Sequence, residues 1–137
     1  MKISNNLNDD IAHAPEWFQR AISVKPEEKV LGHEKGDISY SFWESKSNTG
    51  NLIILIHGTG AHKKWWYPIA PGLNLNAHII SIDLPGMGDS SFRESYKVED
   101  FGDCVTSVIR HEKDINNSSF TYLVGHSLGG HVAGFVA

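Results

Sequence analysis

The sequence has no long apolar run and only one cysteine. Among its 137 residues, no hydrophobic stretch approaches the about 18 residues that a membrane-spanning helix needs. The amino terminus also lacks the apolar core of a signal peptide. Cys104 has no second cysteine with which to form an internal disulfide. These absences predict a cytoplasmic chain in a reducing compartment, without a membrane partner.

Strong charge of either sign is missing as well. The formal net charge is -4, and acidic and basic residues are interspersed, so no nucleic-acid partner is predicted. His57 and His62 have a spacing that could bind a metal, but no cysteine or carboxylate cluster joins them. The sequence therefore predicts neither a metal site nor a cofactor.

What the sequence does contain is a series of short strand patterns. The aliphatic run 52–56 has no polar alternation, which is typical of a parallel strand covered on both faces. Residues 78–83 and 120–124 are predicted to be buried strands too. Earlier in the chain, residues 29–33 and 37–44 are predicted to form a hairpin around Gly36. The second of these alternates polar and apolar residues, which predicts one solvent-facing side.

Helical patterns lie between the strands. A short helix is predicted over 14–22, another begins near residue 62, and a long one begins at Val98. The long helix has an apolar stripe formed by Phe101, Cys104, Val105, Val108 and Ile109. Residues 1–14 are expected to be poorly ordered, and 114–119 to form a polar loop. This alternation predicts an α/β fold with a doubly wound, mostly parallel sheet.

The predicted strand 120–124 leads into a Gly-x-Ser-x-Gly motif, from Gly125 to Gly129. In such a motif the serine, here Ser127, lies on a strained turn between a strand and a helix, with its hydroxyl clear of the backbone. Side chains two residues to either side would collide there, which explains the glycines.

Three segments together resemble the α/β-hydrolase superfamily, in its serine-nucleophile branch. Each follows an apolar strand, and their order matches the amino-terminal half of that fold: Leu55-Ile56-His57-Gly58-Thr59-Gly60, Asp83-Leu84-Pro85-Gly86-Met87-Gly88-Asp89-Ser90 and Gly125-His126-Ser127-Leu128-Gly129-Gly130. The resemblance divides the chain into a polar segment with a short helix, 1–25, and the amino-terminal portion of a hydrolase domain, 26–137.

The resemblance implies a serine hydrolase that acts on an ester or related acyl bond of a small molecule. Ser127 would be the catalytic nucleophile, and the backbone N–H groups of Thr59 and Leu128 would form the oxyanion hole. Dehalogenases and epoxide hydrolases of this superfamily carry an aspartate at the position of Ser127 in this strand-to-helix turn, the nucleophile elbow, so the serine favours acyl chemistry. His57 and Asp83 are interpreted as structural, because the family's acid and base come after the nucleophile.

The chain is shorter than the family's domains, so we expect an incomplete fold that lacks the carboxyl-terminal strands, any cap, and the catalytic acid and histidine. Such a chain is expected to be nearly inactive alone. It is also expected to self-associate through an exposed sheet edge at strand 120–124.

Two alternatives remain open from the sequence. A hydrolase-like scaffold without catalysis, or a gene fragment, would keep the same motifs. A dinucleotide-binding domain would use Gly58-Thr59-Gly60 after a strand and Asp83 as the ribose-binding acid, although Lys63 stands where that motif needs its third glycine.

Overall fold

A single five-stranded sheet forms the centre of the molecule. The computed structural model describes residues 7–47, 50–74 and 76–137. The strands lie in the order β1-β2-β4-β3-β5. Their bounds are β1 Glu27–Leu31, β2 Ile38–Trp43, β3 Leu52–Ile56, β4 His78–Ile82 and β5 Thr121–Gly125.

Helices connect these strands and cover the sheet. The α-helices are α1 Leu7–Ala12, α2 Glu16–Ser23, α3 Ala70–Leu73, α4 Val98–Asn116 and α5 Leu128–Val136, and a 3₁₀ turn spans Lys63–Trp66. Within the described part of the chain, none of these helices is both long and apolar enough to cross a bilayer.

The central strand, β3, pairs in parallel with β4 on one side and with β5 on the other. β2 runs antiparallel to both β1 and β4. The hairpin between β1 and β2 turns at Gly36, whose φ of 113° is accessible mainly to glycine. The α/β fold and the largely parallel sheet are thus confirmed, with an antiparallel hairpin at one edge.

Two apolar cores explain why β3 has no polar alternation. Leu52, Ile54 and Ile56 belong to the core that contains the stripe of α4. Leu55 belongs to a second core, which includes Trp66 of the 3₁₀ turn and Ala70 of α3. Because successive side chains of a strand point to opposite faces, a strand buried on both faces must be apolar throughout.

Three boundary predictions were wrong. Residues 7–12 form α1 although the segment 1–14 was expected to be poorly ordered; residues 1–6 lie outside the described part. α4 extends to Asn116, beyond the predicted loop start at 114, and is followed by Asn117 in a left-handed conformation. The helix predicted from residue 62 is split into the 3₁₀ turn and α3, since Pro68 and Pro71 cannot donate backbone hydrogen bonds.

The prediction that one side of β2 faces solvent is also wrong, because all six residues of the strand are buried. Its polar residues are hydrogen-bonded to other side chains instead of facing open water. The Ser39 hydroxyl accepts a hydrogen bond from the Lys63 ammonium at 2.6 Å. Ser41 Oγ donates to Glu28 at 3.0 Å and lies 2.7 Å from the Tyr67 hydroxyl. Alternation in β2 therefore marks a polar network that covers the strand and not a solvent-facing side.

Candidate active site

Ser127 lies on the turn between β5 and α5 in an unusual backbone conformation. Its φ and ψ are 53° and -117°, outside the left-handed helical basin that some non-glycine residues tolerate. The residue is exposed, and its hydroxyl makes no capping hydrogen bond to α5. A strained residue persists only where its surroundings enforce it. Here the surroundings hold a hydroxyl open to solvent.

The two glycines of the motif permit this turn by removing side chains. A Cβ on Gly125 would collide with the backbone carbonyl of Gly129, and a Cβ on Gly129 would collide with the carbonyl oxygen of Ile56. Both obstacles are backbone atoms, which cannot rotate away. The first turn of α5 therefore packs directly against the end of β3.

The loop after β3, residues 57–62, lies beside this turn. A Cβ on Gly58 would be 3.2 Å from Ser127 Cβ and 3.0 Å from His126 Nδ1. The next residue, Thr59, has a backbone N–H with no acceptor among the backbone bonds of the described residues, and the same holds for Leu128 at the start of α5. Two free donors are thus presented by the segments that flank Ser127.

His57 is buried and both of its ring nitrogens are occupied. The Leu84 N–H donates to His57 Nε2 at 3.1 Å, so the ring proton is on Nδ1, which donates to the Gly58 carbonyl at 2.8 Å. Burial lowers the pKa of His57 and outweighs the opposing Gly58 hydrogen bond. This neutral ring braces the loop, and it has no free nitrogen for a metal shared with His62.

Asp83, at the end of β4, is fully buried. Its Oδ1 accepts from the Lys63 backbone N–H at 2.6 Å, and its Oδ2 accepts from the Asp89 N–H at 2.9 Å. A carboxylate enclosed in this way cannot reach a ribose hydroxyl. This geometry argues against the dinucleotide-binding alternative.

A pocket of about 480 Å³ opens over Ser127. It is lined by Gly58, Thr59, Gly60, Ala61, His62, Lys64, Trp65, His126 and Ser127. Trp65 is 58% exposed and stacks on the His126 ring, with the centroids 5.8 Å apart. Trp66 is buried in the second core. The sequence could not choose between these adjacent tryptophans, and the structure assigns Trp65 to the pocket.

Sequence reasoning missed two buried polar clusters. In the first, Lys63 and Tyr67 contact β1 and β2; burial, aided by Glu28, raises the pKa of Tyr67 to about 12. The serines of β2 were the available signal. In the second, Glu112 is fully buried and accepts from the Tyr40 hydroxyl at 2.6 Å. Glu112 continues the apolar stripe of α4 at the helical spacing, and that position was the signal.

Comparison with known proteins agrees with this arrangement. A sequence profile of the Alpha/beta hydrolase family matches residues 53–137, which include the 57–62 loop and Ser127. The chain belongs to the alpha/beta hydrolase family. The resemblance drawn from its three motifs is thereby confirmed.

Individual relatives differ in the bond that their names describe. Monoacylglycerol lipase ABHD6 of Mus musculus is 31% identical over 130 residues, which cover 88% of this chain and 35% of that protein. The thioesterase domain from the curacin biosynthetic pathway matches with a TM-score of 0.72 at 29% identity, covering 83% of this chain and 40% of that one. The Cif epoxide hydrolase from Acinetobacter nosocomialis matches with a TM-score of 0.69 at 26% identity, covering 93% and 41%. The chain spans less than half the length of each.

Proposed function

We propose that this hydrolase contributes the nucleophile and the oxyanion hole of a serine hydrolase acting on an ester or related acyl bond of a small molecule. Ser127 is the nucleophile, and the N–H groups of Thr59 and Leu128 are the oxyanion donors. The observation that carries the proposal is the exposed, strained serine beside two backbone donors without acceptors. The lipase and thioesterase relatives support acyl chemistry, while the epoxide hydrolase relative supports only the fold.

In the proposed reaction, Ser127 Oγ attacks the acyl carbonyl carbon and its proton passes to a general base. The carbonyl oxygen becomes an oxyanion that accepts hydrogen bonds from Thr59 and Leu128. Collapse breaks the bond to the leaving alcohol or thiol, which takes up the proton, and leaves an acyl-enzyme on Ser127. Water then releases the acid by the same steps.

The base is not visible in the described part of the chain. No histidine there is hydrogen-bonded to Ser127: His57 is enclosed and His126 stacks on Trp65. The family resemblance places the acid and the histidine after the nucleophile. We propose that no histidine among the described residues acts as the base of Ser127, so turnover by these residues would be lower by about 10⁴ to 10⁶ than with a full triad.

Labelling tests this assignment without needing turnover. The chain would be treated with a fluorophosphonate, with imidazole added as an external base, and the labelled peptides identified by mass spectrometry. Because oxyanion donors stabilise the same developing charge, Ser127 should react about 10² to 10³ faster than an ordinary exposed serine such as Ser95. Ser127→Ala should abolish the fast label. Equal rates at Ser127 and Ser95 in a folded chain would contradict the proposal.

A non-catalytic hydrolase-like scaffold is the second candidate, favoured by the missing contact between Ser127 and a histidine. The labelling experiment separates the two, because a scaffold has no reason to keep a reactive serine.

The only cysteine is buried and free, which supports our proposal that the chain acts in the cytoplasm.

A further inference from the structure

Lys63 carries a buried ammonium group just after the 57–62 loop. Its side chain is 3% exposed. Nζ donates to Ser39 Oγ at 2.6 Å and to Asp89 Oδ2 at 2.7 Å, and lies 3.3 Å from Asp83 Oδ2 and 3.4 Å from Glu28 Oε2. Burial alone would lower the pKa of Lys63, but the Asp89 hydrogen bond and the charges of Asp83 and Glu28 raise it above its ordinary value. The group is therefore charged at neutral pH.

The same loop is fixed at both ends to one partner segment, residues 83–84. At its start, the His57 ring accepts from the Leu84 N–H. At its end, the Lys63 N–H donates to the Asp83 carboxylate. Thr59 lies between these anchors. The Asp83 carboxylate thus anchors the end of the segment that carries Thr59.

We propose that Lys63 is a positioning residue that holds the Thr59 N–H in place for the oxyanion. The inference rests on the proposed function of this site. The Lys63 ammonium neutralises Asp83 and keeps it oriented, and Asp83 in turn holds the Lys63 backbone and the end of the loop. Lys63 does not line the pocket over Ser127, so it acts through the loop and not on the substrate.

A purely structural ion pair is the competing explanation, and the chain contains a matched control. Lys29 Nζ lies 3.1 Å from Glu112 Oε1, and Glu112 is fully buried, as Asp83 is. Replacing either lysine by methionine leaves a buried carboxylate without its cation. Neither Lys29 nor Glu112 lines the pocket over Ser127.

The experiment compares Lys63→Met with Lys29→Met in the ¹⁵N-labelled 137-residue chain, using backbone order parameters and melting temperatures. Both variants should melt at lower temperature. Only Lys63→Met should mobilise the loop, lowering the Thr59 order parameter from about 0.85, typical of rigid backbone, to below about 0.6. An unchanged Thr59 order parameter in folded Lys63→Met, or an equal loss in Lys29→Met, would overturn the proposal.

If Lys63→Met does not fold, Asp89→Asn provides the test. The Asp89 side chain is 73% exposed, so an asparagine amide at this position has the shape of the carboxylate and buries no new polar group. Removing the negative charge of Asp89 weakens the hold on the Lys63 ammonium, and it should reduce the Thr59 order parameter with little change in melting temperature. A rigid Thr59 would count against the proposal. These readouts need no activity. A failure here would leave Ser127 labelling intact, whereas absent labelling would refute the proposed function and leave the loop result standing.

Discussion

The strain at Ser127 predicts that the serine is a stability defect that glycine would relieve. A non-glycine residue at φ 53° and ψ -117° keeps its Cβ in a disfavoured position. Ser127→Gly removes that Cβ, whereas Ser127→Ala retains it. The hydroxyl makes no capping hydrogen bond to α5, so alanine should change stability little.

The expected size follows from two opposing effects. Residues in sparsely populated backbone regions cost about 1–3 kcal/mol. Glycine gains extra freedom in the unfolded chain, which costs about 0.5–1 kcal/mol of stability. Taking the middle of each range, Ser127→Gly should therefore be more stable than Ser127→Ala by about 1 kcal/mol. For a chain of this size, each kcal/mol shifts the melting temperature by about 4 °C.

Thermal and urea unfolding of the three proteins, followed by circular dichroism, would measure this difference. Asn117→Gly is the matched control, because Asn117 has a similar φ of 49° but a ψ of 46°, inside the left-handed basin that asparagine tolerates. The gain in stability from Asn117→Gly should therefore be smaller than that from Ser127→Gly. If Ser127→Gly is no more stable than Ser127→Ala, the turn is not strained and the reasoning about the elbow is refuted.

Three further outcomes are expected. Gly129→Ala should destabilise the fold by about 2 kcal/mol, because its Cβ meets the backbone of β3. Gly134 lies in open space on α5, so Gly134→Ala should stabilise the fold by about 0.5–1 kcal/mol. Urea unfolding would compare the two variants. The lowered pKa of His57 means that the unfolded chain binds a proton first, so stability should be full above about pH 6.5 and fall as the pH drops below it. Burial also lowers the pKa of His78, so His57→Gln should reduce this step in the urea midpoints and not abolish it. Finally, we propose that β5 pairs with a second copy of the chain through its open edge. Light scattering should show that Tyr122→Lys is less associated than the parent chain. Phe92 is an exposed aromatic residue outside the strands, so Phe92→Lys should associate as the parent chain does.

Sequence patterns predicted the elements whose cause is local. The unbroken run of β3, the hairpin at Gly36 and the Gly-x-Ser-x-Gly turn were all recognisable, because side-chain period and glycine sterics act over a few residues. The apolar stripe of α4 was equally recognisable from the sequence. The ends of elements were less so: Asn117 ends α4 through a left-handed conformation that asparagine can adopt but does not require.

The buried polar clusters could not be derived in the same way. Ser39 and Ser41 indicate a solvent-facing side of the strand unless it is known that Lys63 contacts Ser39 and Tyr67 contacts Ser41. Both contacts join residues distant in sequence. Glu112 follows the apolar stripe but looks like an ordinary charged helix residue until Tyr40 and Lys29 are placed beside it. These clusters depend on contacts between residues distant in sequence, which a local sequence pattern does not reveal.

The sheet order has a consequence for how the chain folds. β5 lies on the outer side of β3, and β4, which comes between them in sequence, occupies the other side. Closing β5 onto β3 therefore spans a long loop, which makes it a slow, entropically costly step that comes after local structure has formed. The contorted serine turn would then be assembled late on the pathway. Relieving its strain should lengthen the lifetime of the native state and leave the refolding rate nearly unchanged.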